Sequence, residues 1–431
     1  MQLIHKPMTL NKKLLLLPML LLLAGRAAAQ QQLSLDWDAA RRLAAANNPS
    51  VKAARASMEQ AGYDYLAGAG LNYYISNIGL SHSVSRSGVP DSPPGNYSWS
   101  AGVSVSENLL NLKAASAVKT SRINKERAES DYRSVSASAR QALAAAFADL
   151  LFAQKRIEVQ KKILSIRAEN AKLIRLKYES GMESNGNALY TEALAENSGV
   201  SVKKAERQVA VAQRALLEAM GLEGNIQVKA NGDISVPAFS LDEARLARAL
   251  EQSPGIVSAK KTLESAKEKN ESARYSAYPT LTASQGYSWS GDTEFPQDPS
   301  WRLGLSLNIP IFSGGPTAYV NSLASAKRAL AAAEENFKAK RISLASSLRS
   351  GYDDYLSAAE TAQANVSLLK ANEERFKEAQ IKYMAGKISF IDLENVEQNF
   401  VDSDLNQLDY ARAAHSRKLA LEQLLGVGVE E

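Results

Sequence analysis

Two copies of one long unit fill nearly the whole chain, so any fold must contain the same order of elements twice. The motif Lys177-Tyr178-x-x-Gly181 recurs as Lys382-Tyr383-x-x-Gly386, and the segment 216–221 recurs at the same offset as 421–426. An internal repeat constrains the architecture of a chain more strongly than local propensities do. The repeat predicts a first unit at 30–221, a linker at 222–239 and a second unit at 240–431.

The N-terminal segment predicts export. Three lysines precede an apolar run at 14–24, and three alanines at 27–29 supply a small-residue cleavage site. These are the three parts of a secretory signal peptide, which we assign to 1–29. The apolar run is too short for a transmembrane helix. The chain has no cysteine, and therefore neither a thiol for lipid attachment nor a disulfide.

The formal net charge of +5 does not indicate an anionic partner. Four basic residues without a nearby acid lie in the predicted signal peptide: Lys6, Lys12, Lys13 and Arg26. The remaining chain is close to neutral, so we expect no nucleic-acid binding.

An alternating pattern predicts a pair of β-strands in each repeat. The segments 97–106, 281–289 and 301–311 place apolar residues at every second position, with small or polar residues between them. Period two with one apolar face is typical of a half-buried strand. A fourth strand is expected near Leu71 to Ser83, where the alternation is broken. Polar segments at 86–96 and 291–300 join the strands as antiparallel hairpins.

A seven-residue apolar repeat after each hairpin predicts a long helix in a coiled-coil seam. The stripes are Leu143, Leu150, Ile157, Leu164, Ala171 and Tyr178 in the first repeat, and Leu348, Tyr355, Ala362, Leu369, Phe376 and Tyr383 in the second. A helix of about 68 residues is about 100 Å long. Helices of about 35 residues before the hairpin and after the long helix would match that length when stacked end to end.

Two hairpins are too few to close a barrel, and open strand edges are not tolerated in lipid. Three chains that pool their strands would supply twelve, which falls within the range of outer-membrane barrels. Aromatic residues gather at the loop ends of the hairpins, where an interfacial girdle in contact with outer-membrane lipid belongs: Tyr97, Trp99, Trp289 and Trp301. The alternative is that these rings pack the core of a water-soluble sheet.

The order and spacing of several motifs resemble those of the TolC family of outer-membrane efflux proteins, over residues 33–426. Both repeats open on Ser-Leu-Asp, at 34–36 and 240–242, and both contain the Lys-Tyr-x-x-Gly turn. Tyr278-Pro279-Thr280-Leu281 enters a strand, and the motif Asn-Ile-Pro-Ile-Phe-Ser-Gly-Gly at 308–315 leaves one. The first repeat departs from the family pattern, because Gly70-Leu71 and Asn108-Leu109-Leu110-Asn111 replace its proline-containing motifs.

The resemblance implies a mainly α-helical fold with membrane β-hairpins. A long α-helical tunnel in the periplasm would join a twelve-stranded β-barrel shared by the three protomers of a homotrimer. The implied function is an outer-membrane channel of a tripartite efflux or type I secretion system. Such a channel conducts solutes to the exterior from a periplasmic adaptor and an inner-membrane pump of the RND or ABC type.

The resemblance also implies two sites. A pore constriction would lie after the second turn at Asp392, with Asn395 where the family often has a second acid and Asn187 at the equivalent position of the first repeat. A ring of three carboxylates would favour cations. Alternatively, Ser389 caps the returning helix and Asp392 complements the helix dipole. The turns would form the periplasmic tip that docks the adaptor: Gly181, Gly386, Tyr178 and Tyr383.

Two other classes of protein compete with a channel. An enzyme is disfavoured, because the three histidines are isolated and the chain has no nucleophile elbow, phosphate loop or paired metal-ligand spacing. We therefore expect no catalytic, cofactor or metal site. A periplasmic coiled-coil tether without a channel would explain the heptads, but not two aromatic-edged hairpins at matched positions.

Overall fold

The computed structural model describes residues 33–73, 77–86, 97–224, 226–233, 243–312 and 314–430. The first half contains β1 (Leu33–Leu35), α1 (Trp37–Asn47), α2 (Pro49–Tyr73), β2 (Asn77–Arg86), β3 (Tyr97–Leu110), α3 (Leu112–Glu179), α4 (Asn185–Met220) and β4 (Val228–Ala230). The predicted signal peptide, the first hairpin loop at 87–96 and the linker stretch at 234–239 lie outside the described residues.

The second half repeats the order of the main elements. It contains α5 (Glu243–Gln252), α6 (Pro254–Tyr275), β5 (Thr280–Gly291), β6 (Asp298–Asn308), α7 (Pro316–Met384) and α8 (Phe390–Leu425). In both halves, two shorter helices precede a β-hairpin, and a long helix and its returning partner follow it.

The long helices confirm the heptad prediction. The helix α3 has 68 residues and α7 has 69, so each is about 100 Å long. In α7 the predicted stripe is buried except at Leu369, which is half-buried. In α3, Leu143, Leu150 and Ala171 are buried, whereas Tyr178 is exposed. The seam of α3 is broader than one stripe because this helix packs against both α4 and α8.

The helix that precedes each hairpin is interrupted. In the first half α1 ends at Asn47 and α2 begins at Pro49, because proline lacks the N–H that a continuous helix needs and disfavours the helical conformation in the residue before it. Asn48 caps the new start, and its side-chain oxygen accepts a hydrogen bond from the Ser50 N–H at 2.9 Å. The prediction of one helix of about 35 residues was therefore wrong here.

The expected strand near Leu71 to Ser83 was wrong at its start. The helix α2 continues through Gly68 and Gly70 to Tyr73, and the strand β2 covers Asn77–Arg86. The other three strands occupy the predicted segments, although β6 ends at Asn308, before Ile309 and Ile311.

The four longer strands form one antiparallel sheet in the order β2-β3-β5-β6, so each half contributes one hairpin. The outer strands of this sheet, β2 and β6, each pair on one side only within the described part of the chain. A second, parallel pair joins β1 to β4 beside the long helices.

The largest apolar cluster lies midway along the helices, where β1 and β4 meet α1, α3 and α4. At the end of this cluster, Gly221 adopts φ 71°. A Cβ at this position would lie 2.7 Å from the carbonyl oxygen of Asn47, so only glycine allows α4 to end against α1. Two smaller clusters join α3 to α8 nearer the turns.

None of the described helices combines the length and the apolar character needed to cross a membrane.

Candidate functional site

The two helical turns have the same backbone geometry. Gly181 and Gly386 adopt positive φ angles of 75° and 69°. The N–H of the next residue donates to a carbonyl in the last helical turn in each case, from Met182 to Lys177 and from Lys387 to Lys382, both at 2.8 Å. This is the way in which a glycine with φ above zero ends an α-helix.

The four residues of the predicted docking tip do not share one environment in the structure. Gly181, Gly386 and Tyr178 are exposed at the turns. Tyr383 is buried, with only 3% of its surface exposed. Its ring therefore packs inside the protomer.

Tyr383 joins the two turns of the protomer. Its hydroxyl donates to Glu183 Oε2 at 2.7 Å, and Lys177 Nζ lies 3.9 Å from the centre of its ring. Lys177 also donates to the Tyr383 carbonyl at 2.9 Å. Burial, followed by the bond to Glu183, raises the pKa of the Tyr383 hydroxyl, so it remains a donor. We did not identify Glu183 from the sequence, where its only signal is an acid two residues after a turn glycine.

Glu183 also organises the start of the returning helix α4. Its carboxylate accepts hydrogen bonds from the Ser184 N–H and from Asn187 Nδ2, at 3.0 and 2.8 Å. Burial raises the pKa of Glu183, but the bonds from Tyr383, Ser184 and Asn187 outweigh it and the net pKa is lowered. Asn187, a predicted constriction residue, is thus half-buried and hydrogen-bonded within its own turn.

Asp392 caps the returning helix α8 in the equivalent place. Its Oδ2 accepts from the Ser389 N–H at 3.0 Å and the Ser389 hydroxyl at 2.7 Å, and the Asp392 N–H donates back to Ser389 Oγ. This reciprocal arrangement is a capping box. The hydrogen bonds from Ser389 lower the pKa of Asp392, so the carboxylate stays ionised. Both Asp392 and Asn395 remain exposed to solvent.

A buried polar cluster links the two halves farther along the helices. Glu397 of α8 is 8% exposed, and its carboxylate accepts from Arg167 Nε at 3.3 Å and from Asn170 Nδ2. Arg167 also donates to Ser198 of α4 at 3.1 Å, and Asn170 accepts from Gln380 of α7 at 3.2 Å. Side chains of four helices therefore meet in one hydrogen-bonded cluster around Glu397. No pattern in the sequence indicated this cluster.

Burial is the main influence on Glu397. It raises the pKa of the carboxyl group, although the hydrogen bonds from Asn170 and Arg167 act in the opposite direction. A buried charge of this kind is retained only when hydrogen bonds compensate for its lost hydration.

The sheet has one apolar face, which carries all four residues of the predicted aromatic girdle. The pairs Arg86–Tyr97, Val84–Trp99, Ala101–Trp289 and Tyr287–Trp301 fix that shared face. All four rings lie in the loop-side half of the hairpins, and Trp301 is 77% exposed. The guanidinium of Arg86 lies 4.9 Å from the centre of the Tyr97 ring.

Serine and glycine make up most of the opposite face: Gly79, Ser81, Ser83, Ser85, Ser98, Ser100, Gly102, Ser104, Ser106, Ser284, Gly286, Ser288, Ser290, Ser300, Gly304 and Ser306. Its other members are Asn77, Asn108, Thr280, Thr282, Asp298, Arg302 and Asn308. We call this whole face the serine face. Hydroxyl pairs cross it, from Ser83 to Ser100 and from Ser288 to Ser300, both at 2.8 Å.

Close approaches between neighbouring strands on the serine face indicate that the sheet curls toward this side, which makes the serine face concave. A Cβ at Gly102 would lie 3.0 Å from the Ser288 Cβ, and one at Gly79 would lie 3.1 Å from the Ser104 hydroxyl. Small residues are needed where a sheet curls toward them, because side chains converge on the inner side. The apolar face is therefore the convex, outer side of the sheet.

Long helical hairpins, attached to a sheet with an apolar convex face and a hydroxyl-lined concave face, define the class of tunnel-forming outer-membrane proteins. The sequence model of the family described as outer membrane efflux protein matches residues 40–222 and 246–427, once in each half. The chain belongs to the outer membrane efflux protein family.

Individual relatives agree with this assignment. The chain is 22% identical over 319 residues to the cobalt-zinc-cadmium resistance protein CzcC of Cupriavidus metallidurans, which covers 74% of each sequence. Its fold is similar to that of CusC, with a TM-score of 0.80, 19% identity and coverage of 94% and 95% of the two chains. It is also similar to the open state of the MtrE outer membrane channel of Neisseria gonorrhoeae, with a TM-score of 0.78, 16% identity and 94% coverage of both chains.

Family membership confirms three of the sequence predictions. The protein is an outer-membrane efflux channel, it resides in the outer membrane and extends into the periplasm, and its fold is that of the outer-membrane efflux proteins. Members of the family are channels rather than enzymes. Among the described residues, no three His, Cys, Asp or Glu side chains are grouped so that they could hold a metal ion.

Proposed function

We propose that three copies of this chain pool their sheets into a twelve-stranded barrel in the outer membrane, with the helical hairpins forming a tunnel through the periplasm. The observation that carries this proposal is the sheet itself. Its two outer strands, β2 and β6, each pair on one side only within the described residues, and its convex face is apolar. Lipid does not tolerate such open edges, and pairing β2 of one protomer with β6 of the next removes them.

The faces of the sheet suit this arrangement. Exposed leucines cover the convex side of β6, where Leu303, Leu305 and Leu307 are 71%, 72% and 60% exposed. In the barrel these side chains contact lipid, and the aromatic residues lie at the interfacial level as a girdle. The serine face then lines a wet lumen.

The helical end serves assembly and entry. A periplasmic adaptor docks on the exposed turns around Gly181 and Gly386, and an inner-membrane pump of the RND or ABC type supplies the solute. Lys177, Tyr383 and Glu183 hold the two turns together, so that the adaptor meets one surface made by both repeats. Asp392, with Asn395 and Asn187 nearby, constricts the entrance. The protein needs no cofactor and carries out no catalysis.

Substrate choice belongs mostly to the pump. The relative named for cobalt, zinc and cadmium resistance is 22% identical, and the residues that the structure describes include no cluster of ligands for those metals. We therefore propose that this protein is a general exit channel for the solutes that the pump supplies.

Bilayer recording distinguishes this function from that of a coiled-coil tether. The mature protein, purified in detergent and added to a planar lipid bilayer, is expected to produce discrete single-channel currents. The matched variant carries proline at Leu303 and Leu305 of β6. The two prolines remove strand N–H groups and block edge pairing, so this variant should produce no channel currents. Absence of channel currents from the unaltered trimeric protein would refute the proposal.

A further inference from the structure

Within the four described strands of the sheet, a single cation lies on the serine face. Arg302 in β6 pairs with Gly286 in β5, and the same row continues through Ser104 of β3 to Gly79 of β2. Arg302 is exposed, and none of the described residues forms an ion pair with it. It is therefore the only long side chain at its level of the sheet.

The surroundings of Arg302 leave its charge uncompensated. The only other charged residue on this face of the described strands is Asp298, at the loop end of β6. Four residues of strand separate the two positions by about 13 Å, whereas salt screens charges over about 8 Å at physiological ionic strength. Asp298 therefore cannot neutralise the guanidinium.

Arg302 also borders a cavity of about 320 Å³ on the concave side of the sheet. Ser81, Ser284 and Ser300 are among the other residues that line it. Hydroxyl groups interact with ions of either sign, so they set no charge preference. The guanidinium supplies the preference that the wall otherwise lacks.

The radius of the barrel determines whether three such charges are close enough to affect a solute in the lumen. Twelve strands about 4.8 Å apart and tilted by about 40° give a backbone radius of about 12 Å. Arginine side chains that extend inward from this wall bring their charges to within about one screening length, 8 Å, of the axis. A solute on the axis is then close enough to interact with all three.

We propose that Arg302 of three protomers forms a cationic ring in the lumen of the barrel, and that this ring makes the outer exit of the channel favour anionic solutes over cationic ones. The inference rests on the proposed trimeric barrel. The ligand class is small anions and solutes that carry carboxylate or phosphate groups. Arg302 is a specificity-determining residue and takes no part in forming the channel.

Ion selectivity tests the ring. The reversal potential is measured under a KCl gradient for Asp392→Asn and for the double variant Asp392→Asn/Arg302→Ser, because a charged entrance in series would mask the exit. Three charges at this distance change the local concentration of a monovalent ion roughly threefold. Because the ring enriches anions and depletes cations by this factor, Arg302→Ser should raise the cation-to-anion permeability ratio by as much as about ninefold, and Arg302→Lys should leave it unchanged.

The absence of cysteine gives a second, independent test. In an Arg302→Cys variant that also carries Asp392→Asn, a positively charged thiosulfonate reagent added from the outer side should restore the anion preference, and a negatively charged one should reverse it. The matched control is Leu303→Cys, whose side chain lies on the convex face and should not change selectivity with either reagent.

The outcomes separate this inference from the proposed function. Channels that conduct with the same permeability ratio before and after Arg302→Ser would overturn the ring and leave the channel intact. A protein that forms no channels with Arg302 in place would overturn both. If the reagents changed ion selectivity as much at Leu303→Cys as at Arg302→Cys, the inference would also be contradicted. That result would mean that both faces of the sheet are exposed to the water-filled lumen.

Discussion

At the scale of single residues, the sequence located some functional positions and missed their partners. The pattern identified Asp392 both as a candidate for the constriction and as a helix cap, and the capping box is present in the structure. It could not identify the bond between Tyr383 and Glu183 or the contacts of Glu397, because these partners lie more than one long helix apart in the chain. A heptad indicates which side of a helix is buried, but not which helix covers it.

Neutralising Asp392 should change conduction without unfolding the helix. In Asp392→Asn the side-chain oxygen can still accept from the Ser389 N–H, while the negative charge is lost. We expect a weaker block of the channel by divalent cations, measured in planar bilayers. Asn395→Ala, which changes an exposed neutral neighbour, is the matched control. Equal block in Asp392→Asn and the parent protein would show that the carboxylate acts only as a cap.

The buried carboxyl of Glu397 predicts a pH-dependent stability. Because burial raises its pKa above the ordinary value of 4.5, the folded protein binds this proton more tightly than the unfolded chain. The resulting stabilisation is complete below the ordinary pKa and is lost as the pH rises through the raised pKa of the folded state. We expect Glu397→Gln to remove this part of the pH dependence of the melting temperature.

The control for that experiment is Glu378→Gln, in which an exposed carboxylate paired with Lys382 is changed instead. Melting temperatures are measured in detergent from about pH 4 to about pH 8, the range around the carboxyl titration. Parallel curves for the parent protein and Glu397→Gln would contradict the assignment.

At the scale of elements, periodicity predicted the long helices and three of the four strands. The period of seven predicted a long helix in each half and a length of about 68 residues, close to the 68 and 69 residues of α3 and α7. The errors lie where tertiary contacts override local signals. A strand was expected to begin near Leu71, but α2 packs along α3 and continues to Tyr73. Pro49 divides the helical stretch of about 35 residues that was expected before the hairpin.

The packing of α7 against α8 depends on one stacked aromatic pair. The rings of Phe376 and Phe400 lie 5.5 Å apart and are nearly parallel, and Phe400 is 1% exposed. Replacing a buried phenylalanine by alanine costs about 3–5 kcal/mol. We expect a loss of this size in the free energy of unfolding of Phe400→Ala, measured by denaturant titration. Ile391→Ala, an exposed change in the same helix, should lose less than about 0.5 kcal/mol.

At the scale of the whole molecule, the channel depends on how the edges of the sheet are completed. The sequence predicted two hairpins with one apolar face, and the structure joins them into one sheet with β2 and β6 at its edges. The number of chains that share the barrel could not come from periodicity, because it depends on contacts between copies. The strand count and the curvature of the serine face are what favour three.

The shared barrel requires β2 of one protomer to pair with β6 of the next, and disulfide cross-linking tests this pairing directly. Leu80→Cys is combined in turn with cysteine at Leu303, Leu305 or Leu307, all on the convex face of a chain that has no cysteine of its own. Within one sheet these edges lie about 14 Å apart, too far for a disulfide. Leu80→Cys/Val103→Cys, a neighbouring pair within one protomer, is the control.

We predict that oxidation of membranes containing at least one of the three edge pairs produces covalent dimers and trimers on a denaturing gel, whereas the control pair stays monomeric. If every edge pair remained monomeric while the control pair formed its internal disulfide, the shared barrel would be contradicted.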